Sequence, residues 1–165
     1  MKQKNSVLYF RITAAVYFIL LLAIPVYQVI HHYDILNTGK IYKFIAEPYD
    51  PYDPFRGRYV EIHVPGIDTY PDAPYALLAM DENGFSYAAS YQETAPENPQ
   101  TAYVKNLQIN RYYLNENKAP KVELFQSNPS EEDEIYVQIA VKNGNYVIEG
   151  MYINDIRVEN IQFLP

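Results

Sequence analysis

The chain contains no cysteine and no tryptophan, and its 165 residues hold 13 basic side chains against 20 acidic ones. Without cysteine there is no disulfide, no thiolate metal site and no thiol to lipidate, and the absence fits either redox compartment. A glycine-rich phosphate loop, a His-Glu-x-x-His pair and a Gly-x-Ser-x-Gly elbow are all missing, so the common signatures of nucleotide, zinc-protease and serine-hydrolase chemistry are absent. Histidine is scarce as well. His31 and His32 adjoin an apolar run, and two neighbouring histidines with no third ligand nearby do not make a zinc set. His63 stands alone, and no cofactor is expected. Tyrosine, by contrast, occurs 18 times.

The charges are unevenly placed. Lys2, Lys4 and Arg11 precede an uncharged run from Ile12 to Ile30, 19 residues that would reach roughly 28 Å as a helix, close to the hydrocarbon thickness of a bilayer. The run exceeds the h-region of about 7–15 residues of a secretory signal, and no small-x-small cleavage site follows it. An uncleaved membrane anchor is therefore expected, with a cleaved signal or a buried globular helix as alternatives. Pro25 would kink an isolated helix but is tolerated in a membrane, where neighbouring groups can satisfy the freed carbonyl. Tyr9, Tyr27 and Tyr33 suit the two interfaces, and the early positive charges predict a cytoplasmic N-terminus and an exported C-terminal domain. The expected plan is a cytoplasmic 1–11, a transmembrane helix 12–30, a linker 31–38 and an extracytoplasmic β domain 39–165, set in the cytoplasmic (inner) membrane. From residue 34 on, ten Lys and Arg face all 20 acids, a net charge of -10 that argues against nucleic acid as a partner.

Beyond Gly39 the turn signals recur at the spacing of an all-β domain. Lys40–Ala46 is rich in β-branched and aromatic residues. Arg58–Val64 alternates, with Val60, Ile62 and Val64 on one face and Tyr59, Glu61 and His63 on the other. Tyr75–Met80 and Phe85–Tyr91 flank Asp81-Glu82-Asn83-Gly84, and Ile135–Val141 and Tyr146–Ile153 flank Lys142-Asn143-Gly144-Asn145. Both read as hairpins with Asn-Gly turns. Glu93–Gln100 is a polar loop with two prolines, Lys118–Ser127 a short candidate helix, and Glu131–Glu134 an acidic run leading into the second hairpin. The predicted fold is mainly β, an antiparallel sandwich or partly open barrel with one short helix, preceded by a single N-terminal transmembrane helix.

The most distinctive segment is Glu47–Ile62, an acid–Pro–aromatic triplet written three times and then interrupted by Arg56-Gly57-Arg58. Each proline fixes its own φ and pushes the preceding acid out of the α region, so an extended connector with a turn at Asp53-Pro54-Phe55-Arg56 is expected. One reading is a rigid connector whose aromatics cover a sheet edge. The functional reading is a recognition surface in which Tyr49, Tyr52 and Phe55 anchor a partner, Asp50, Asp53, Arg56 and Arg58 set charge specificity, and Tyr59 continues the surface. A Ca²⁺ site is disfavoured, because Glu47 and Asp53 would stand about 19 Å apart at a polyproline rise.

The segment DPYDPFRGRYVEI resembles the membrane-anchored GDYXXLXY family, whose hallmark is an Asp-Pro-x-Asp-x-x-Arg-Gly-Asp-Tyr segment opening a strand. A second block, Ile109 to Glu116 with Ala119-Pro120 and Glu123, and the terminal hairpin are similar too. Gly57, Tyr59 and Ile62 fit the name motif, whereas Arg58 replaces its Asp and Val64 its final Tyr. The resemblance implies a bacterial, extracytoplasmic, single-pass protein associated with multispanning membrane proteins, and it supplies no catalytic residues.

The two blocks lie outside the strands read from the hydrophobic pattern, apart from the entry to Arg58–Val64. Arg111, Tyr112, Glu116 and Glu123 gather acids and a base in the second block, either as acid–base groups or as structural ion pairs. Arg111 and Glu116 are expected to pack near Asp53 and Arg56. A signal-peptidase-like Ser–Lys hydrolase is disfavoured, since Ser86 falls in a hairpin strand with no elbow to expose it. The leading functional expectation is an accessory or interaction module for an integral membrane partner, with Ala14, Ala15, Ala23 and Pro25 available for helix packing. The alternative is a ligand- or peptide-binding sensor using the triplet segment and an open strand edge, and the third is an enzyme of unknown type.

Overall fold

In the computed structural model the described residues are 2–47, 59–67, 71–98, 100–115, 118–122 and 133–161, with backbone alone for 2–9. The apolar run lies within one helix, α1, from Lys2 to Thr38, with Pro25 in its interior. Its 37 residues span roughly 55 Å. Phe10–Thr38 has a mean hydropathy of 2.1 with nothing packed over its apolar window, which makes it long and apolar enough to cross a membrane. Residues 31–38 belong to the same unbroken helix.

The helix stops at Gly39 for a steric reason. The Gly39 N–H donates to the Ile35 carbonyl at 2.8 Å, and a Cβ on Gly39 would lie 2.5 Å from that oxygen and 3.1 Å from Val141 N and O. Glycine lets the chain turn in this gap and start β1, Lys40–Ile45. The last turns of α1 pack on the hairpin formed by β7 (Ile135–Lys142) and β8 (Asn145–Ile153). Ile35 is buried there. Lys142 Nζ donates to both Asp34 carboxylate oxygens, at 2.8 and 2.7 Å, and to Thr38 Oγ1 at 2.8 Å.

The strands form three antiparallel groups. β1, β7, β8 and the two-residue β9 (Ile156–Arg157) make one sheet in that order. β2 (Tyr59–Glu61) pairs with β6 (Arg111–Tyr113), and β3 (Tyr75–Met80) lies between β4 (Ser86–Gln92) and β5 (Tyr103–Lys105). The groups are stitched together by a Glu47–His63 bridge and a Val104–Gly144 bridge. One continuous apolar core, drawn from β1, β2, β3, β5, β6, β7 and β8, fills the space between them. The domain is thus a mainly β sandwich of antiparallel sheets, not a closed barrel, with one short helical segment described at 119–122.

Most of this follows the hydrophobic pattern. Val60, Ile62 and Val64 are buried, as are Ile135, Val137, Ile139 and Val141. Tyr136 and Ala140, on the opposite face of β7, are buried as well. The α1 terminus and the stacked Tyr136–Tyr152 pair, 5.1 Å between centroids, lie along this strand. The Asn143-Gly144 turn has φ of 51° and 76°, the two successive positive values a type I′ hairpin needs. In the other hairpin Gly84 alone is left-handed at 86°, and Asp81 Oδ1 accepts from the Asn83 and Phe85 N–H groups. This side-chain turn holds Phe85 in the loop, so β4 starts at Ser86 and not at Phe85.

One expectation is corrected. The second block is not outside the strands: Arg111–Tyr113 is β6, with Tyr112 buried between two exposed neighbours. Three residues give too short an alternation to identify without the partner strand.

Burying Ile35 is expected to matter more to this junction than the half-exposed Lys142–Asp34 pair. Ile35→Ala should cost about 2–4 kcal/mol of β-domain stability and Lys142→Ala under about 1 kcal/mol. Urea unfolding of the full-length protein in detergent, followed by near-ultraviolet tyrosine circular dichroism, measures both.

Candidate functional site

The β2–β6 ribbon separates its side chains cleanly. The register pairs Tyr59 with Tyr113, Val60 with Tyr112, and Glu61 with Arg111. Val60 and Tyr112 point into the core, while Tyr59, Tyr113 and Arg111 share the outer face. On that face the Tyr59 and Tyr113 rings meet edge-on at 5.9 Å, and the Arg111 guanidinium lies 5.0 Å from the Tyr59 ring centroid. Tyr113 is 70% exposed. A surface cation–π contact of this kind is worth only about 0.5–1 kcal/mol. Its effect is to hold three large side chains in one arrangement, which lowers the ordering cost of binding.

Behind the ribbon, Tyr112 begins a polar network. Its hydroxyl donates to Glu159 Oε1. Arg157 donates from Nε to Glu159 Oε2 at 3.1 Å, from Nη1 to Glu149 Oε1 at 3.2 Å, and from Nη2 to the Glu149 carbonyl at 2.7 Å. The Tyr152 hydroxyl donates to Glu149 Oε2 at 2.7 Å, and Lys118 Nζ donates to the carbonyls of Glu159 and Ile161. Burial, then the bond to Glu159, pushes the Tyr112 hydroxyl up to about 12, against the pull of Arg157. Burial and Glu149 likewise push Tyr152 up to about 12. Burial lowers Arg157, but Tyr112, Glu159 and Glu149 together outweigh it and raise the group.

This arrangement is a latch. All four carboxylate oxygens of Glu149 and Glu159 accept a bond, and both phenols stay protonated near neutrality, so neither serves as a base there. The network joins β6 and the 118–122 segment to the 3-10 turn Val158–Asn160.

Two clefts open among the described residues. The larger, about 600 Å³, is lined by Pro71, Asp72, Ala73, Pro74, Asn106, Leu107 and Gln108. The smaller, about 240 Å³, is lined by Ile45, Glu47, Pro65, Asp81, Phe85, Ser86 and Tyr87. Ser86 is 5% exposed, and among the described residues its Oγ has no hydrogen-bond partner. The described lining of that cleft holds the carboxylates Glu47 and Asp81 but no lysine or histidine. The described residues hold no group of three or more acids and histidines placed to bind a metal.

Of the residues singled out from the sequence, Tyr59, Arg111 and Tyr112 come together on one ribbon. Tyr59 and Arg111 touch, and Tyr112 lies on the opposite face. Tyr49, Asp50, Tyr52, Asp53, Phe55, Arg56, Arg58, Glu116 and Glu123 lie outside the described residues, as does the expected packing of Glu116 near Asp53 and Arg56. The two family blocks nonetheless meet, since β2, which ends the first, pairs with β6 in the second. The sequence reading notes Tyr113 beside Tyr112 in the second block but does not count it among the binding residues, because its place opposite Tyr59 depends on that register. It missed Glu149, Arg157 and Glu159, which converge only through the β8–β9 turn and carry no local signal.

The molecule thus joins a mainly β sandwich, with an exposed tyrosine–arginine face backed by an ionic latch, to one N-terminal helix long and apolar enough to span a membrane. The chain belongs to the GDYXXLXY family: the family described as GDYXXLXY protein matches residues 21–151, from the middle of the apolar run to β8. No curated protein and no solved structure matches the chain.

Because Tyr112 has a higher pKa folded than the roughly 10 of an unfolded tyrosine, the folded state holds the proton longer. Its stabilising contribution is complete below pH about 10 and is lost as pH rises through about 12. The urea midpoint should therefore fall across that window, and less steeply in Tyr112→Phe, when both proteins are unfolded at matched pH.

Proposed function

We propose that this chain is a single-pass accessory module: α1 anchors it in the cytoplasmic membrane with the N-terminus inside, and the β domain docks outside on an integral membrane protein. The observation that carries this reading is the outer face of the β2–β6 ribbon. Tyr and Arg are the residues most enriched at energetic centres of interfaces, and here Tyr59, Arg111 and Tyr113 are mutually ordered while Tyr113 stays 70% exposed. The half-buried latch beneath them ties the ribbon's inner face to the 3-10 turn.

The alternative of a small-molecule or peptide sensor finds less support. A sensor relying on the abundant tyrosines would gather them in a concave pocket, and of the two clefts described above one has no tyrosine among its described lining residues and the other has Tyr87 alone. The charge balance also weighs against nucleic acid, and the latch chemistry does not favour an enzyme.

A photo-crosslinking residue at position 113 in native membranes tests the reading. A discrete adduct with a larger membrane protein is expected. It should be lost in Tyr59→Ala/Arg111→Ala, while the urea midpoint moves by less than about 1 kcal/mol equivalent. Absence of any adduct from position 113, with the protein present and folded in the membrane, would contradict the proposal.

A further inference from the structure

The two ends of β7 carry different charge, and α1 packs at one of them, where Lys142 bonds Asp34. At the helix end of the domain lie the start of β1, the β7–β8 turn and β5, whose Lys105 N–H donates to the Gly144 carbonyl at 2.8 Å. This pole carries Lys40, Lys105 and Lys142. Lys40 pairs with Val141 in register, and Lys40 and Lys105 are exposed, lying over the Tyr42 and Tyr75 rings respectively. Asp34 at this pole is already neutralised by Lys142, and Asp72 faces the adjoining cleft. Ile41, beside Lys40, is 41% exposed. The opposite pole, where β7 begins, holds Asp133, Glu134 and Asp155, the last paired with Lys43 at 3.8 Å, with Glu131 and Glu132 preceding Asp133 in sequence. Asn154 bonds Asp133 and the Glu134 N–H there. At about 3.3 Å per strand residue, β7 separates the two poles by roughly 25 Å.

The length of α1 decides what the basic pole meets. Beyond Ile30 the helix continues for the residues 31–38, about 12 Å at 1.5 Å each, and the polar layer of a leaflet is about 5–8 Å deep. The pole therefore stands within one Debye length, about 8–10 Å, of the headgroups, and ordinary helix tilt brings it closer. The staple at Asp34–Lys142 and the buried Ile35 prevent the domain from swinging away.

We infer that the pole formed by Lys40, Ile41, Lys105 and the β7–β8 turn rests on the membrane and binds anionic lipid headgroups, with the acidic pole directed away. This rests on the anchoring proposed above. The lysine ammonium groups meet lipid phosphates, Ile41 adds an exposed apolar contact at the headgroup layer, and the net charge of the rest of the domain repels it from the same surface. The lipid surface thus fixes the height and the tilt at which the ribbon is presented.

Because the chain has no cysteine, a single nitroxide label can be placed at will. The full-length protein in nanodiscs of zwitterionic lipid, or of zwitterionic lipid with an anionic phosphatidylglycerol fraction, would carry the label at Asn145→Cys or at Glu134→Cys. The Asn145 label should lose accessibility to a water-soluble nickel relaxant in the anionic discs relative to the zwitterionic ones, while the Glu134 label stays fully accessible in both. Lys40→Gln/Lys105→Gln should abolish the difference between the two lipids while leaving the Lys142 staple in place. Equal accessibility at Asn145 in both discs would overturn the lipid contact while leaving anchoring intact. Failure of the protein to co-purify with the discs at all would overturn both anchoring and the lipid contact.

Discussion

Everything in this molecule that concerns its surroundings depends on one junction, where α1 meets the β7–β8 hairpin. Gly39 is the geometric requirement, since any side chain there collides with the Ile35 carbonyl and the Val141 backbone. Burial of Ile35 supplies most of the stabilisation, and the Asp34–Lys142–Thr38 bonds add direction more than energy, being partly exposed. The consequence is that an apolar helix and a β sandwich share one rigid connection. A flexible tether would leave the domain free to take any height or orientation. A packed joint fixes both.

The same hairpin also supports the sandwich from within. β7 is buried on both faces because it lies against the inter-sheet core on one side and near the α1 terminus and the Tyr136–Tyr152 stack on the other. The Tyr136 hydroxyl donates to Asp155 at 2.6 Å, and burial together with that carboxylate raises its pKa. Beside it, Tyr152 stacks on Tyr136 and donates to Glu149, so the Arg157 latch that ties β6 to the 3-10 turn continues from the same cross-strand row. The two polar clusters thus adjoin at one end of the sheet, against a core made almost wholly of aliphatic and aromatic side chains. The outer ribbon face presents the ordered Tyr59, Arg111 and Tyr113 side chains.

Much of the fold was legible in the sequence because burial leaves a period. Val60, Ile62 and Val64, and Ile135 to Val141, alternate as strands on one side of a core must, and Asn143-Gly144 carries the turn chemistry openly. The apolar run was equally plain. What could not be read depends on pairing between distant segments. Arg111–Tyr113 is too short to announce itself as a strand, and its role appears when β2 lies beside it. Arg157 and Glu149 are eight residues apart in a stretch that gives no hint of the β8–β9 reversal. The helical course of residues 31–38 was hidden by their polarity, because a packed helix end needs few apolar residues, here chiefly Ile35. Tyr59, Arg111 and Tyr112 were chosen for their place in family blocks. Their division between a solvent face and a core face comes from register alone.

The central claim is that helix and domain move as one body. Electron–electron distance measurements between nitroxides at Val16→Cys in the helix and Glu134→Cys at the distal pole test it directly in a bilayer. A single narrow distance distribution, broadened when Gly39 is followed by a short glycine–serine insertion, is the result the account predicts. A broad distribution in the unmodified chain, unchanged by the insertion, would contradict it.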